Sequence, residues 1–145
     1  MVYRILIDTN ILIDYMAKRD PFYEAARSII ERCATGELKG CMAAHSVTNA
    51  FFILRNGYTV RERCEMLLEM SNLLDIIPIH NENIVESLQS YPLFVDIEDC
   101  LQVKCAQAYH ADYIVTRNPK HFIHSTIPTL TSDELLQKLG LTNND

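Results

Sequence analysis

A short apolar segment near the N-terminus ends abruptly in three polar residues. Tyr3 to Ile7 is β-branched and almost continuously apolar, which is typical of a strand covered on both faces of a parallel sheet. Asp8, Thr9 and Asn10 follow it directly. Because open α/β sheets bind ligands at the carboxyl ends of their strands, this segment predicts a polar site there. Asp8 or Asn10 would equally serve as the cap of a helix that begins at about residue 11.

Strand-like and helix-like segments alternate along the rest of the chain, and no linker or repeat divides it. This order predicts one α/β domain over residues 1–140 and a C-terminal tail over 141–145, where 143–145 is expected to fray. Further strands are predicted at 39–43, 75–79, 113–116 and 127–130, and helices at 11–16, 21–33, 47–55, 59–73, 82–89, 97–109 and 131–140.

Capping residues set several of these helix boundaries. Asp20 and Pro21 have the residue types of an N-cap and a first helical residue. Ser46 is predicted to cap the helix that follows it. Thr59–Glu62 and Thr131–Glu134 each have the sequence of a capping box, in which the first and fourth residues bond each other's backbone.

Composition limits the class of protein. The five cysteines are odd in number, lie in apolar surroundings and include no C-x-x-C pair, which predicts buried free thiols in a reducing cytosol. No run approaches the roughly 20 apolar residues of a membrane span, and the N-terminus lacks the pattern of a signal peptide. The expectation is a soluble cytoplasmic protein. With 19 acidic and 13 basic residues the net charge is −6, which opposes nonspecific nucleic-acid binding but supplies acids for a cation.

Two further polar clusters have the spacing of a site. Asp96 and Asp99 lie three residues apart and therefore on one face of the helix predicted at 97–109, whereas Glu98 points elsewhere and is expected to be solvated. Acids at a helix start are also favoured by the helix dipole alone. Thr116-Arg117-Asn118 comes directly after Tyr113-Ile114-Val115 of the strand predicted at 113–116, just as Asp8 comes directly after the first strand. Two strands would then present polar groups at one sheet edge.

Four segments together resemble the PIN-domain nucleases, a family that includes toxin ribonucleases of bacterial toxin–antitoxin pairs. They are Ile-Asp-Thr-Asn-Ile-Leu at 7–12, Ser-Val-Thr-Asn at 46–49, Asp-Ile-Glu-Asp-Cys-Leu-Gln at 96–102 and Ile-Val-Thr-Arg-Asn at 114–118. The resemblance extends from Ile5 to about Leu130 with the motifs in family order. It implies a three-layer α/β domain with a central, mostly parallel sheet of about five strands flanked by helices, and an acidic cluster that holds Mg²⁺ or Mn²⁺.

The resemblance also assigns roles to individual residues. Asp8 matches the first acid of the family, Asp99 matches the acid of its later helix, and Asp96 stands one turn before Asp99; these three are the expected catalytic and metal-binding residues. Thr9 and Arg117 are expected to contact substrate, Arg117 through phosphate oxygens, although Arg117 would equally suit the protein surface. Four polar residues are expected to support the site: Asn10, Asn49, Thr116 and Asn118.

Physical chemistry gives the acids a reason to meet. Two carboxylates about 5 Å apart repel by roughly 3 kcal/mol at an effective dielectric constant of about 20, and a hard divalent ion removes that cost. Asp oxygens, Asn carbonyls and water are ligands of Mg²⁺ and Mn²⁺, whereas zinc would draw on His and Cys. His121 and His124 lie three apart but have no Cys or acid at matching spacing, so they do not predict a zinc site.

Two departures from the family pattern leave an alternative open. Asn49 stands where the family usually has a Glu, and Asn118 where it commonly has an Asp. An amide keeps an oxygen ligand but loses a negative charge and the capacity to act as a base. The first prediction is a metal-dependent ribonuclease that hydrolyses phosphodiester bonds of single-stranded RNA, plausibly the toxin of a toxin–antitoxin pair. The alternative is a weak or inactive PIN-like module that binds RNA or a protein.

Partners and other reaction classes follow from the same residues. The family commonly forms homodimers and binds an antitoxin. An apolar stripe on the helices predicted at 47–55 and 59–73 is expected to belong to the core, or to be partly exposed for such a partner. A haloacid-dehalogenase-like phosphohydrolase needs a second Asp where Asn10 stands, and a phospho-receiver needs an Asp at the end of the third strand, where the chain has Pro78-Ile79-His80. Neither phosphate-transfer class fits.

Overall fold

Five strands and seven α-helices alternate along residues 1–141, the part of the chain that the computed structural model describes. The strands are β1 (Tyr3–Ile7), β2 (Leu38–Ala43), β3 (Asp75–Ile77), β4 (Tyr113–Val115) and β5 (Thr129–Leu130). The helices are α1 (Thr9–Met16), α2 (Tyr23–Thr35), α3 (Ala44–Ile53), α4 (Val60–Leu73), α5 (Asn81–Gln89), α6 (Ile97–Ala108) and α7 (Ser132–Lys138). Of the predicted tail, residues 142–145 lie outside the described part.

All five strands are parallel and lie in the order β3-β2-β1-β4-β5. β1 is central, because it pairs with β2 on one side and β4 on the other, with Leu6 opposite both Cys41 and Ile114. Ile5, Leu6 and Ile7 have no exposed surface, as the apolar run predicted for a strand covered on both faces. The predicted three-layer α/β fold is confirmed, and the sheet is wholly rather than mostly parallel.

The two faces of β1 belong to two hydrophobic clusters. Ile5 and Ile7 pack with residues of α1, α2, α4 and α7, whereas Leu6 packs with α6. A third cluster joins α1, α3 and α4. These layers hold α1, α3 and α6 around the carboxyl end of the central strand, which is where the polar motifs lie.

Both predicted capping boxes are present, but two other predicted helix starts are wrong. Thr59–Glu62 and Thr131–Glu134 make the reciprocal bonds at the starts of α4 and α7. α2 begins at Tyr23, so Asp20 and Pro21 lie in the turn before it. α3 begins at Ala44 directly after β2, so Ser46 lies inside the helix. Its buried hydroxyl contacts other side chains instead of capping the helix.

The predictions about thiols and membrane spans can be compared with the structure. All five cysteines are free, and Cys41, Cys100 and Cys105 are buried as predicted. Cys33 is partly buried and Cys64 is exposed, so the predicted burial is wrong for Cys64. Within the described residues, none of the helices combines the length and the apolar character that a membrane crossing requires.

Candidate active site

A polar cavity of about 320 Å³ opens where β1, α1, α3 and α6 meet. All three predicted acids, Asp8, Asp96 and Asp99, line it. Four more of the predicted site residues also line it: Thr9, Asn10, Asn49 and Asn118. The sequence segments that resemble PIN nucleases therefore meet in one place, although they are distributed over most of the chain.

Asp8 is the most buried acid of this cavity and is held by three hydrogen bonds. It is 8% exposed. Oδ1 accepts from the backbone N–H of Thr9 at 2.8 Å and from Nε2 of Gln102 at 3.1 Å, and Oδ2 accepts from the Thr116 hydroxyl at 2.8 Å. Asp8, not Asn10, caps α1. The two predicted roles of Asp8, helix cap and site residue, are therefore compatible in one side chain.

The buried position of Asp8 makes its negative charge costly. Burial raises the pKa of Asp8, and the hydrogen bonds from Thr116, Thr9 and Gln102 oppose that rise only in part. A carboxyl held in this way is stabilised as an anion by a nearby cation. A cation bound in this cavity would therefore lower the pKa of Asp8.

Asp96 and Asp99 enter the cavity from the start of α6. Asp96 is exposed and caps the helix, because its Oδ1 accepts from the backbone N–H of Glu98 at 2.8 Å. Asp99 is half-buried, and burial, followed by the charges of Asp96 and Asp8, raises its pKa to about 6. His121 opposes that rise, with Nδ1 3.7 Å from Asp99 Oδ2. The charges of Asp8 and Asp99 thus act on each other across the cavity.

The raised pKa of Asp99 makes the stability of the metal-free protein depend on pH. The stability that protonated Asp99 contributes to the folded state is present in full below its pKa in the unfolded chain, near 3.8, and is lost as the pH rises through about 6. We expect Asp99→Asn to exceed the wild type in unfolding free energy by about 1–3 kcal/mol at neutral pH. The difference should disappear near pH ~4.

Urea unfolding in EDTA at the two pH values measures this difference. Asp133→Asn is the matched control, because Asp133 is likewise in the first turn of a helix, α7, but outside the cavity. Equal stabilities of Asp99→Asn and the wild type at neutral pH would contradict the expected cost of ionising Asp99, which comes first from burial and then from the charges of Asp96 and Asp8.

Thr116 contacts Asp8 and Asn118 lines the cavity, whereas Arg117 lines another cavity. The Thr116 hydroxyl donates to Asp8 and accepts from the backbone N–H of Asn118 at 3.1 Å. Arg117 Nε lies 3.0 Å from Asp14 Oδ2, and its guanidinium lies over the ring of Phe22. It lines a separate cavity of about 180 Å³ with both residues. The structure thus separates Arg117 from the acids with which it was predicted to act.

The structure adds to this site three residues that the sequence did not predict there. Gln102 is buried and contacts Asp8, Thr9 and Ser46. The spacing that joined Asp96 to Asp99 also puts Gln102 on that face of α6, so the same periodicity could have identified it. His121 lines the cavity without His124. Glu98 is exposed, as predicted, but lies at the cavity's edge.

The donor set fits a hard divalent cation. Among residues 1–141, no three His, Cys, Asp or Glu side chains are grouped closely enough to form a complete ligand set. The cavity nevertheless contains carboxylates with raised pKa values, at Asp8 and Asp99, and the amide side chains of Asn10, Asn49 and Asn118. Mg²⁺ and Mn²⁺ bind such oxygen atoms and keep several waters, so they do not require three carboxylates.

Comparison with known proteins extends the resemblance found in the sequence. A family model described as PIN domain matches residues 4–120. Among curated proteins, no sequence relative of the chain was found.

Solved structures share the fold at low sequence identity. A toxin–antitoxin complex from Klebsiella pneumoniae aligns with a TM-score of 0.64 and 24% identity, covering 90% of this chain and 98% of that one. VapBC2 from Rickettsia felis, bound to a promoter DNA fragment, aligns at 0.63 and 16%, covering 88% and 98%. VapC20 from Mycobacterium tuberculosis, described as a sarcin-ricin loop cleaving toxin, aligns at 0.60 and 10%, covering 76% and 86%.

Proposed function

The chain belongs to the PIN-domain family, and on that premise we propose that it is a metal-dependent endoribonuclease that hydrolyses phosphodiester bonds of single-stranded RNA. One observation carries the proposal. Asp8 and Asp99, which come from distant parts of the sequence, line one cavity at the carboxyl edge of the sheet, and the charge of Asp8 adds to the rise in the pKa of Asp99 that burial causes. A fold keeps such a repulsive pair when a bound cation offsets the repulsion.

Asp8 and Asp99 would hold Mg²⁺ or Mn²⁺, with Asp96 and the amide oxygens of Asn10, Asn49 and Asn118 available nearby. A bound ion of this kind lowers the pKa of a coordinated water and stabilises charge on a phosphate. The chain's own residues fix the geometry. Thr116 and Thr9 orient the Asp8 carboxylate through hydrogen bonds of 2.8 Å. The Asp96 cap fixes the start of α6, from which Asp99 projects.

Residues at the rim of the cavity support the proposal that the substrate is RNA. Phe52 lines it and is 61% exposed, and the guanidinium of Arg55 lies 3.7 Å from the centre of the Phe52 ring. An exposed aromatic ring with an adjacent cation suits stacking of an unpaired base and contact with a phosphate. A recessed site also admits a single strand more easily than a duplex. Thr9 remains a proposed substrate contact, although its hydroxyl is already hydrogen-bonded to Ser46.

The proposed biological role is that of a toxin restrained by an antitoxin, in the cytoplasm. The Klebsiella structure is a toxin–antitoxin complex, and the five free thiols suit a reducing compartment. α3 and α4 also form an apolar groove that includes Phe51, Leu67 and Leu68. Leu68 is 65% exposed, which supports a protein partner, either an antitoxin or a second copy of the chain.

Cleavage of a mixed single-stranded RNA pool tests the proposed activity. We expect cleavage with Mg²⁺ or Mn²⁺ and none with EDTA. Asp99→Asn should reduce the rate by about 10²-fold or more, since it removes a carboxylate that acts on the reacting groups. Asp133→Asn, which removes an equivalent first-turn charge outside the cavity, should cleave at the wild-type rate. Cleavage that persists in EDTA, or in Asp99→Asn, would overturn the assignment.

A second candidate function is an inactive module that binds RNA or a protein without cutting it. It is favoured by the amides at Asn49 and Asn118, and by the lack of a three-carboxylate cluster among residues 1–141. The same assay distinguishes the two. A partner-free wild-type protein that retains RNA in a filter-binding measurement but leaves it intact with either ion would favour the binding module.

A further inference from the structure

Gln102 is a buried amide in α6 to which the sequence analysis assigned no role. Its side chain is 2% exposed and lies three residues after Asp99, where it lines the cavity. Its neighbours Leu101 and Val103 are core residues. A buried amide is costly unless it is hydrogen-bonded. The contacts of Gln102 therefore indicate why an amide occupies this position.

The amide nitrogen of Gln102 joins α6 to two other elements of the site. Nε2 lies 2.9 Å from the Ser46 hydroxyl, 3.1 Å from Asp8 Oδ1 and 3.3 Å from the Thr9 hydroxyl. The hydroxyls of Thr9 and Ser46 are themselves 2.8 Å apart. Two N–H groups thus serve three acceptors that come from the end of β1, the start of α1 and the first turn of α3. The network forms across the carboxyl edge of the sheet.

The hydrogen bonds of Asp8 use its two oxygen atoms unequally. A carboxylate oxygen has about two acceptor positions. Oδ1 accepts from Thr9 and Gln102 and is therefore fully used, whereas Oδ2 accepts from Thr116 alone. Gln102 thus completes the bonding of Oδ1. Oδ2 is then the oxygen of Asp8 that can accept a further partner.

The other end of the amide is unpaired. Oε1 of Gln102 is buried and accepts no hydrogen bond from any of residues 1–141. A residue retained only to fill the core would avoid this cost, because a leucine or methionine of similar volume leaves no orphaned acceptor. The cost is tolerated at a position whose nitrogen orients a buried acid.

We propose that Gln102 is a positioning residue of the nuclease site: it holds the Asp8 carboxylate in the orientation that leaves Oδ2 free for a divalent cation. The inference rests on the proposed function for the identity of that cation. The role matters more here than in a site with more carboxylates, because Asn49 and Asn118 bring no negative charge to the cavity. The orientation of Asp8 then determines the geometry of the site.

Gln102→Leu tests the role because it removes the amide and puts an apolar side chain of similar size in its place. We expect Mn²⁺ to bind about 10- to 100-fold more weakly, as on loss of a group that orients a metal ligand. The kcat for RNA cleavage should fall by a similar factor with KM unchanged. In crystals of the metal-free variant the Asp8 carboxylate should be rotated or occupy two conformers. If the leucine variant does not fold, Gln102→Met is used for the same measurements.

Val103→Ala is the matched control, since it disturbs the core beside Gln102 and Val103 is not among the residues that line the cavity. It should lower the unfolding temperature and leave Mn²⁺ affinity and the Asp8 orientation unchanged. Wild-type orientation and affinity in Gln102→Leu would overturn the positioning role while leaving the nuclease assignment intact. If the wild type neither bound Mn²⁺ nor cut RNA, the nuclease assignment would fail, and the orientation of Asp8 in the two metal-free crystals would still decide the role of Gln102.

Discussion

Asp8→Asn is expected to lower RNA cleavage by about 10²- to 10³-fold or more, and to leave the metal-free fold at least as stable as the wild type. Asn retains the shape of the side chain and an oxygen that can accept from Thr9 and Gln102, while the Thr116 hydroxyl can turn to accept from the new amide. The substitution removes a buried charge whose pKa is raised by burial. Catalysis and stability should therefore move in different directions.

Two measurements on the same preparations separate these effects. Initial cleavage rates with Mn²⁺ report the loss of activity, and thermal unfolding with and without Mn²⁺ reports binding, since a ligand of the folded state raises its stability. Mn²⁺ should stabilise the wild type and not Asp8→Asn. Asp112→Asn is the control, because Asp112 also accepts a backbone N–H, from Arg4, but lies outside the cavity. Wild-type cleavage by Asp8→Asn would exclude Asp8 from catalysis.

The fold was predictable where a local pattern had one physical explanation. Ile5, Leu6 and Ile7 form a continuous apolar run because both faces of β1 are covered. The boxes at Thr59 and Thr131 marked helix starts because each bonds within one turn. The start of α3 gave no such signal, because Ala43 precedes the helix and its side chain cannot cap it.

The candidate site was predictable to the extent that chain topology fixes it. Asp8 and Asn118 follow neighbouring parallel strands, so their proximity follows once the strands are recognised. The partner of a buried polar side chain does not follow in this way. Gln102 bonds Asp8 across 94 positions of sequence, and Arg117 turns to Asp14 although its neighbour Asn118 lines the cavity. These choices depend on side-chain packing between elements, which periodicity does not encode.

Arg117→Met is expected to destabilise the protein by about 3–5 kcal/mol, because it leaves the charge of Asp14 without its nearest partner. Asp14 is fully buried, Arg117 Nε lies 3.0 Å from its Oδ2, and Arg19 is the more distant cation at 3.8 Å. Within the described part of the chain, neither Asp14 oxygen nor Arg117 Nε makes a hydrogen bond, so the ion pair only partly offsets the cost of burial. Met retains an unbranched side chain that can pack on Phe22.

The loss should depend on pH with a defined sign. Burial raises the pKa of Asp14, and Arg117 followed by Arg19 opposes the rise. Removing Arg117 therefore raises that pKa further. A carboxyl with a raised pKa in the folded state contributes stability that is present at low pH and is lost as the pH rises through that value. Urea unfolding should show the largest deficit of Arg117→Met at neutral pH and a smaller one in acid.

The double variant Asp14→Leu/Arg117→Met distinguishes a structural pair from a substrate contact. With both charges replaced by apolar groups, stability should return to the wild-type value or exceed it, as for other buried ion pairs. If Arg117 acts only on Asp14, the double variant should also cleave RNA with an unchanged KM. A KM that rises steeply while stability is restored would instead return Arg117 to the phosphate-binding role that the sequence predicted, and would require its side chain to leave Asp14 when RNA binds.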